Sequence, residues 1–103
     1  MSDQSSANPY TRGIANFVSN LTYDAIPAEV RQRVKLIILD GFGCGIYGAR
    51  LEWSRILQNL CRRIDDTRTC GVWGTDQRLS APHAALTNGT QVQGFELDDG
   101  HHK

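Results

Sequence analysis

The chain has no excess of charge of either sign. Eleven Lys and Arg side chains balance eleven Asp and Glu over 103 residues. With no global field, neither nucleic acid nor an anionic membrane surface is favoured as a partner. Long apolar runs are missing too. The longest is four residues, Leu36–Leu39, against the roughly 20 that a bilayer-spanning helix needs. The opening "MSDQSSANPY" holds no basic stretch and no apolar core, so it does not read as a secretory signal. It reads as a disordered tail over 1–9, ahead of one small domain over 10–103. A cytoplasmic location is expected, with no clear transit peptide to a mitochondrion. Cysteines are few and odd in number. Cys44, Cys61 and Cys70 are widely spaced and form no C-x-x-C pair. Reduced thiols are the expectation, rather than a disulfide framework or a zinc site. No internal repeat and no low-complexity linker is visible.

What is present is helical periodicity. Ile14, Phe17, Val18 and Leu21 fall at i, i+3, i+4, i+7, predicting a helix over 11–21 with Thr11 as its cap. "TYDAIPAEV" turns the chain and restarts it. Asp24 or Ala25 precedes the next first turn, Pro27 suits its opening position, and Glu29 favours its positive end. From there Val30, Val34, Ile37 and Ile38 continue at helical spacing, although a strand over 35–39 competes. Over 52–64, Trp53, Ile56, Leu57, Leu60, Cys61 and Ile64 form one apolar stripe. Arg62 and Arg63 suit its C-terminal dipole. "TCGVWG", 69–74, is a short extended segment. Ser80 can cap a further helix with Pro82 in its first turn. Asn88-Gly89 is, in contrast, a hairpin signal. If the segment is helical, Ala85, Gly89, Val92 and Glu96 line one stripe.

"LIILDGFGCGIYGAR" contains Gly43-x-Gly45-x-x-Gly48, the wording of a dinucleotide-binding turn. Such a site needs a strand, a tight turn, and a helix whose N-terminus meets the pyrophosphate. It also needs an acidic residue about 20 positions on, and Asp65 and Asp66 stand near that offset. Three features count against it. The apolar pattern starts earlier, at Val30, with helical period. Asp40-Gly41-Phe42 separates the run from the glycines. Gly41, Gly45 and Gly48 recur at i, i+4, i+7, which makes a smooth face for close helix contact.

The chain closes on "GFELDDGHHK". Glu96, Asp98, Asp99, His101 and His102 crowd seven positions. In a helix, Glu96 and Asp99 share a face. Two carboxylates held close cannot both ionise freely, so one pKa rises toward the range useful for proton transfer. A neighbouring histidine titrates in that range as well. Three readings follow. The segment is a solvated, charged end, or a divalent-metal site without a recognised ligand spacing, or an acid–base group acting on a carboxylate-bearing substrate.

"IPAEVRQRVKLIILDGFGCGIYGAR" followed by "VWGTDQRLSAPHAALTNGTQVQGFELDDGHH" resembles the N-terminal part of the MmgE/PrpD family. That family includes 2-methylcitrate dehydratases, cis-aconitate decarboxylases and iminodisuccinate epimerases. The resemblance runs from Tyr10 to Lys103 and is sharpest in the glycine helix, the "WG" element and "NGT…FELDD.H". It implies a mainly α fold, the N-terminal portion of a large helical domain, with at most a short extended segment near 69–74. A smaller α/β domain and a homodimer go with it in the full-length form. The resemblance favours a helix over 80–97 and places the glycines in a bundle helix, with no nucleotide. It implies no organic cofactor, no metal, and a small carboxylate as substrate. Glu96 matches the leading acidic position, Asp98 and Asp99 the Asp-Asp pair, and Gly100 replaces a common threonine. Glu96, Asp99 and His101 are then the catalytic candidates, with Asp98 and His102 as substrate-binding candidates. Family members run to several hundred residues and draw a further lysine and histidines from later segments. The expectation is therefore an N-terminal fragment of a lyase or isomerase, inactive alone. The alternative is a non-catalytic helical interaction or dimerisation module, or a pseudoenzyme fragment.

Overall fold

The computed structural model describes residues 8–94. They are mainly α: four α-helices, one 3₁₀ turn and one two-stranded sheet. The chain divides into two compact units, Met1–Arg33 and Val34–Lys103.

In the first unit, α1 spans Pro9–Asn20. Its cap is Asn8, whose Oδ1 accepts from the Tyr10 N–H at 3.0 Å, and proline opens the helix. The expected cap, Thr11, instead lies inside the first turn, because Asn8-Pro9 is already a stronger start. No residue of α1 is buried, so the stripe Ile14, Phe17, Val18 and Leu21 is exposed. Tyr23–Ala25 forms a 3₁₀ turn. The Arg31 guanidinium lies 4.6 Å from the Tyr23 ring centroid, a cation–π contact. Pro27 is the residue before the next helix, and its carbonyl accepts from the Arg31 N–H at 3.0 Å.

That helix, α2, spans Ala28–Gly48. The strand alternative over 35–39 is overturned, since the helical period that starts at Val30 runs unbroken through the glycines. The remaining elements belong to the second unit. α3 spans Glu52–Ile64, with Arg62 and Arg63 in its last turn. Strands β1, Cys70–Gly71, and β2, Arg78–Leu79, pair antiparallel with Cys70 opposite Leu79. Between them the Val72 N–H donates to the Gln77 carbonyl at 3.0 Å, and Thr75 Oγ1 donates to the Val72 carbonyl at 2.9 Å. Gly74 holds φ +75°, and a Cβ there would meet the Ile46 carbonyl oxygen at 3.0 Å. Both the backbone sign and the space call for glycine.

Helix α4 spans Ala81–Gln93, with Pro82 in its first turn. The hairpin alternative at Asn88-Gly89 is overturned. Asn88 uses its side chain on the β1 side instead: Oδ1 accepts from the Trp73 N–H at 2.9 Å, and Nδ2 donates to the Gly71 carbonyl at 3.1 Å. The stripe expected from Ala85 and Gly89 does not pack. Both are exposed, and the buried face of α4 is Ala84, Thr87 and Gln91. The apolar core is Cys61, Val72, Leu79 and Ala84, with Leu57 and Cys70 against it. Cys44, Cys61 and Cys70 form no disulfide. No helix among the described residues is long and apolar enough to cross a membrane.

Candidate functional site

Helix α4 is the last described element before the acidic–histidine segment in the sequence. Its N-terminus is held by a carboxylate from another element. Asp65, the residue just past α3, turns its Oδ2 to accept from Ser80 Oγ at 2.6 Å and from the Ser80 N–H at 2.9 Å. The same oxygen lies 2.6 Å from His83 Nδ1, and Oδ1 accepts from the Thr67 N–H at 2.9 Å. The Asp65 side chain is only 4% exposed. The Ser80 hydroxyl, then the His83 ring, then the Ser80 amide hold its pKa well below the usual carboxylate range. Ser80 sits at the cap position, as its sequence context predicts, but its side chain makes no capping bond. Its hydroxyl proton goes to Asp65 instead.

This trio does not form a nucleophilic triad. There, the imidazole stands between the hydroxyl and the carboxylate and uses both ring nitrogens. Here the carboxylate is central, and serine and histidine both point at it. Ser80 Oγ is 3.3 Å from the same Nδ1 that faces Asp65. No base is left to take the serine proton, so the arrangement joins the end of α3 to the start of α4.

The middle and end of α4 are fixed by amides. Thr87 Oγ1 donates to the His83 carbonyl at 2.8 Å and approaches Cys61 Sγ at 3.7 Å. Gln91 is fully buried. Its Nε2 donates to the carbonyls of Gly45 at 3.1 Å and Trp73 at 2.9 Å, and its Oε1 accepts from Gln58 Nε2 at 2.9 Å. Gln58 Nε2 also reaches the Ala49 carbonyl at 3.0 Å, and Gln77 Nε2 reaches the Gln58 carbonyl at 2.9 Å. Three glutamines thus tie α2, α3, the sheet turn and α4 together.

The glycines of α2 belong to the same assembly. A Cβ on Gly45 would meet the Trp73 ring at 2.6 Å and Val92 at 3.2 Å, and one on Gly48 would strike the Gln91 backbone. Phe42 stacks at a tilt on Trp73, with centroids 4.4 Å apart. Gly45 and Gly48 therefore serve the close contact that their spacing predicts. Gly41 does not, because a Cβ there meets nothing within 4 Å among the described residues. The dinucleotide reading fails on chemistry: amides inside a helix already donate to carbonyls four residues back and cannot cradle a pyrophosphate.

Glu96, Asp98, Asp99, His101 and His102, the candidates named from sequence, lie outside the described residues. His83, Gln58 and Gln91 were not singled out as functional in sequence, and Asp65 was named only at the offset of the dinucleotide reading. A faint signal existed for two of them. Ser80-x-x-His83 occupies the capping-box positions but carries histidine where a Glu or Gln normally stands, so a carboxylate from elsewhere had room to bind. The glutamine contacts span 33 and 46 positions and leave no local trace.

A mainly helical unit whose last helix is pinned at every turn precedes, in the sequence, an acidic and imidazole-bearing segment. The sequence profile of the MmgE/PrpD N-terminal domain matches residues 12–103. The chain belongs to the MmgE/PrpD family. It is 37% identical over 99 residues to a cis-aconitate decarboxylase of Aspergillus terreus, covering 96% of this chain and 20% of that protein. It is 36% identical over 104 residues to a cis-aconitate decarboxylase-like protein of Aspergillus oryzae, covering 98% and 21%. The human cis-aconitate decarboxylase is 30% identical over 93 residues, covering 89% and 19%. The chain thus spans about a fifth of the length of the curated relatives it matches. No solved structure matches it.

Proposed function

We propose that this chain provides the N-terminal part of a cofactor-independent lyase or isomerase for small di- or tricarboxylates, of the cis-aconitate decarboxylase type. The observation that carries the proposal is the pairing of two features. Relatives named for that reaction match nearly the whole chain, and α4 is rigidly held immediately before Glu96. In this reading Glu96 or Asp99 orients a substrate hydroxyl or water, and His101 moves a proton at the carbon next to a carboxylate. Asp98 and His102 contribute to substrate binding. Cations from the rest of a full-length protein neutralise the substrate carboxylates. The catalytic form is a homodimer, and the 103-residue chain is inactive and only marginally stable by itself.

The test is a chimera in which this chain replaces the matched segment of the Aspergillus terreus enzyme, assayed for CO2 release from cis-aconitate. Glu96→Gln and His101→Asn are each expected to lower kcat by about 10²-fold or more. Unchanged kcat in both would remove the assignment. A second reading, a non-catalytic interaction module, is favoured by the amount of exposed apolar surface on α1, α2 and α3. It predicts a chimera that assembles normally and turns over nothing.

A further inference from the structure

Gly43 differs from the glycines that pack. Gly45 and Gly48 face side chains or backbone of this chain, whereas a Cβ on Gly43 would meet nothing within 4 Å among the described residues. A glycine inside a helix is unfavourable unless close packing requires it. Its neighbours along one line of α2 are Leu36, Leu39 and Ile46, exposed by 50%, 67% and 50%. Positions 36, 39, 43 and 46 alternate steps of three and four. That is the seam along which one helix packs on another at a shallow angle. Gly43 sits in that seam where a missing side chain lets two backbones approach.

The occupant follows from the rest of the helix. Val34, Ile37 and Ile38, on other sides of α2, are also exposed, by 45%, 42% and 53%. Apolar side chains thus stand exposed on several sides of α2, with charged Lys35 and Asp40 between them, and covering them takes more than one neighbour. A two-fold contact between copies offers the same single patch twice and covers one stripe. The matched relatives carry about four-fifths of their length outside the matched segment.

We propose that the seam Leu36–Leu39–Gly43–Ile46 is the docking groove for an apolar helix from that additional polypeptide, in backbone contact at Gly43. This docking rests on the reading of the chain as the N-terminal part of a longer protein, and not on which reaction that protein performs.

The experiment co-produces the tagged 103-residue chain with the unmatched remainder of the Aspergillus terreus enzyme and measures the remainder captured on the tag. Helicity of the chain alone is read by circular dichroism. The wild-type chain is expected to capture the remainder. Gly43→Ala should weaken capture and Gly43→Leu should reduce it about tenfold or more, the equivalent of one lost close contact. Helicity of both variants alone should be unchanged or higher, since alanine and leucine are better helix formers and the space is open. Equal capture by Gly43→Leu, or no capture by the wild type, overturns the proposal. So does lower helicity of Gly43→Leu alone, which would place the occupant within this chain. A wild-type dimer that Gly43→Leu dissociates would assign the groove to a second copy instead.

Discussion

The two faces of α3 are built from opposite materials. The inner face is Ser54, Gln58 and Cys61, all buried, and it ends at the enclosed Asp65. The outer face is Trp53, Ile56, Leu60 and Ile64, exposed by 47–63%. Hydrophobic burial alone would turn the helix the other way. What holds it is geometry: Gln58 and Asp65 each satisfy partners that no apolar side chain could. The same inversion runs through the unit. Its buried polar residues are Ser54, Gln58, Gln77, Thr87 and Gln91, nearly as numerous as the buried apolar ones. Such a core specifies position more than it supplies stability. The outer faces are where the hydrophobic free energy of a complete assembly would come from.

The sharpest way to break this comparison is Gln91→Ala. It takes the donor from the Trp73 carbonyl, removes one of two donors from the Gly45 carbonyl, which keeps the Ala49 N–H, and removes one acceptor from Gln58. The orphaned carbonyl costs about 1–3 kcal/mol, and the cavity left by the buried side chain adds to that. Against a stability at the low end for small domains, that is enough to unfold the unit. The fixed near-UV circular dichroism of Trp53 and Trp73 should vanish at 25 °C. A signal like that of the wild type would mean that the amides are incidental. Gly48→Ala comes next. Its new Cβ strikes the backbone of Gln91, which cannot swing aside as a side chain can. Overpacking of this kind costs about 1–3 kcal/mol, read as a lower urea midpoint.

Asp65→Asn tests the clasp by pH. The folded-state pKa of Asp65 is depressed by its donors. Its contribution is therefore complete above the unfolded value, about pH 4, and drains as pH falls below it toward the lower folded value. Wild type should exceed Asp65→Asn in stability at pH 7. The gap should close on acidification below about pH 4. A gap independent of pH between 7 and 3 would show that the charge is not what joins α3 to α4.

Legibility in the sequence follows the range of the interactions. α3 begins and ends where its stripe predicts, because amphipathic period and the Arg62–Arg63 terminus are local. The stripe, however, tells only that one face is apolar, and most of it faces outward here. α2 was ambiguous over 35–39, since a short apolar run fits either period. The helix prevails because the pattern from Val30 continues into glycines that pack at 45 and 48. Asn88-Gly89 misleads for a physical reason: Asn88 spends its amide on Gly71 and Trp73, and the helix continues. Strand β2 has two residues, too few for any period. In the candidate site, the acidic–histidine wording is plain, while the clasp and the glutamine ties join residues 9 to 46 positions apart and have no periodic signature.

The smallest effects come from neighbours on the two faces of α3, and they sharpen the comparison most. Ser54 Oγ is buried with no hydrogen-bond partner among the described residues. Removing a buried hydroxyl that lacks a partner relieves its desolvation cost and is close to neutral or stabilising. Ser54→Ala is therefore expected to leave the urea midpoint unchanged or raise it. Ile56, two residues on and 63% exposed, can become Gln within about 0.5 kcal/mol, as surface changes generally do. If Ile56→Gln destabilised the isolated chain strongly, the outer face would already be doing core work here. If instead it is silent in the chain alone and lowers assembly of the chimera, the apolar face of α3 acts only once the rest of the enzyme is in place. That outcome separates a helix held by its polar side from one stabilised by its apolar side.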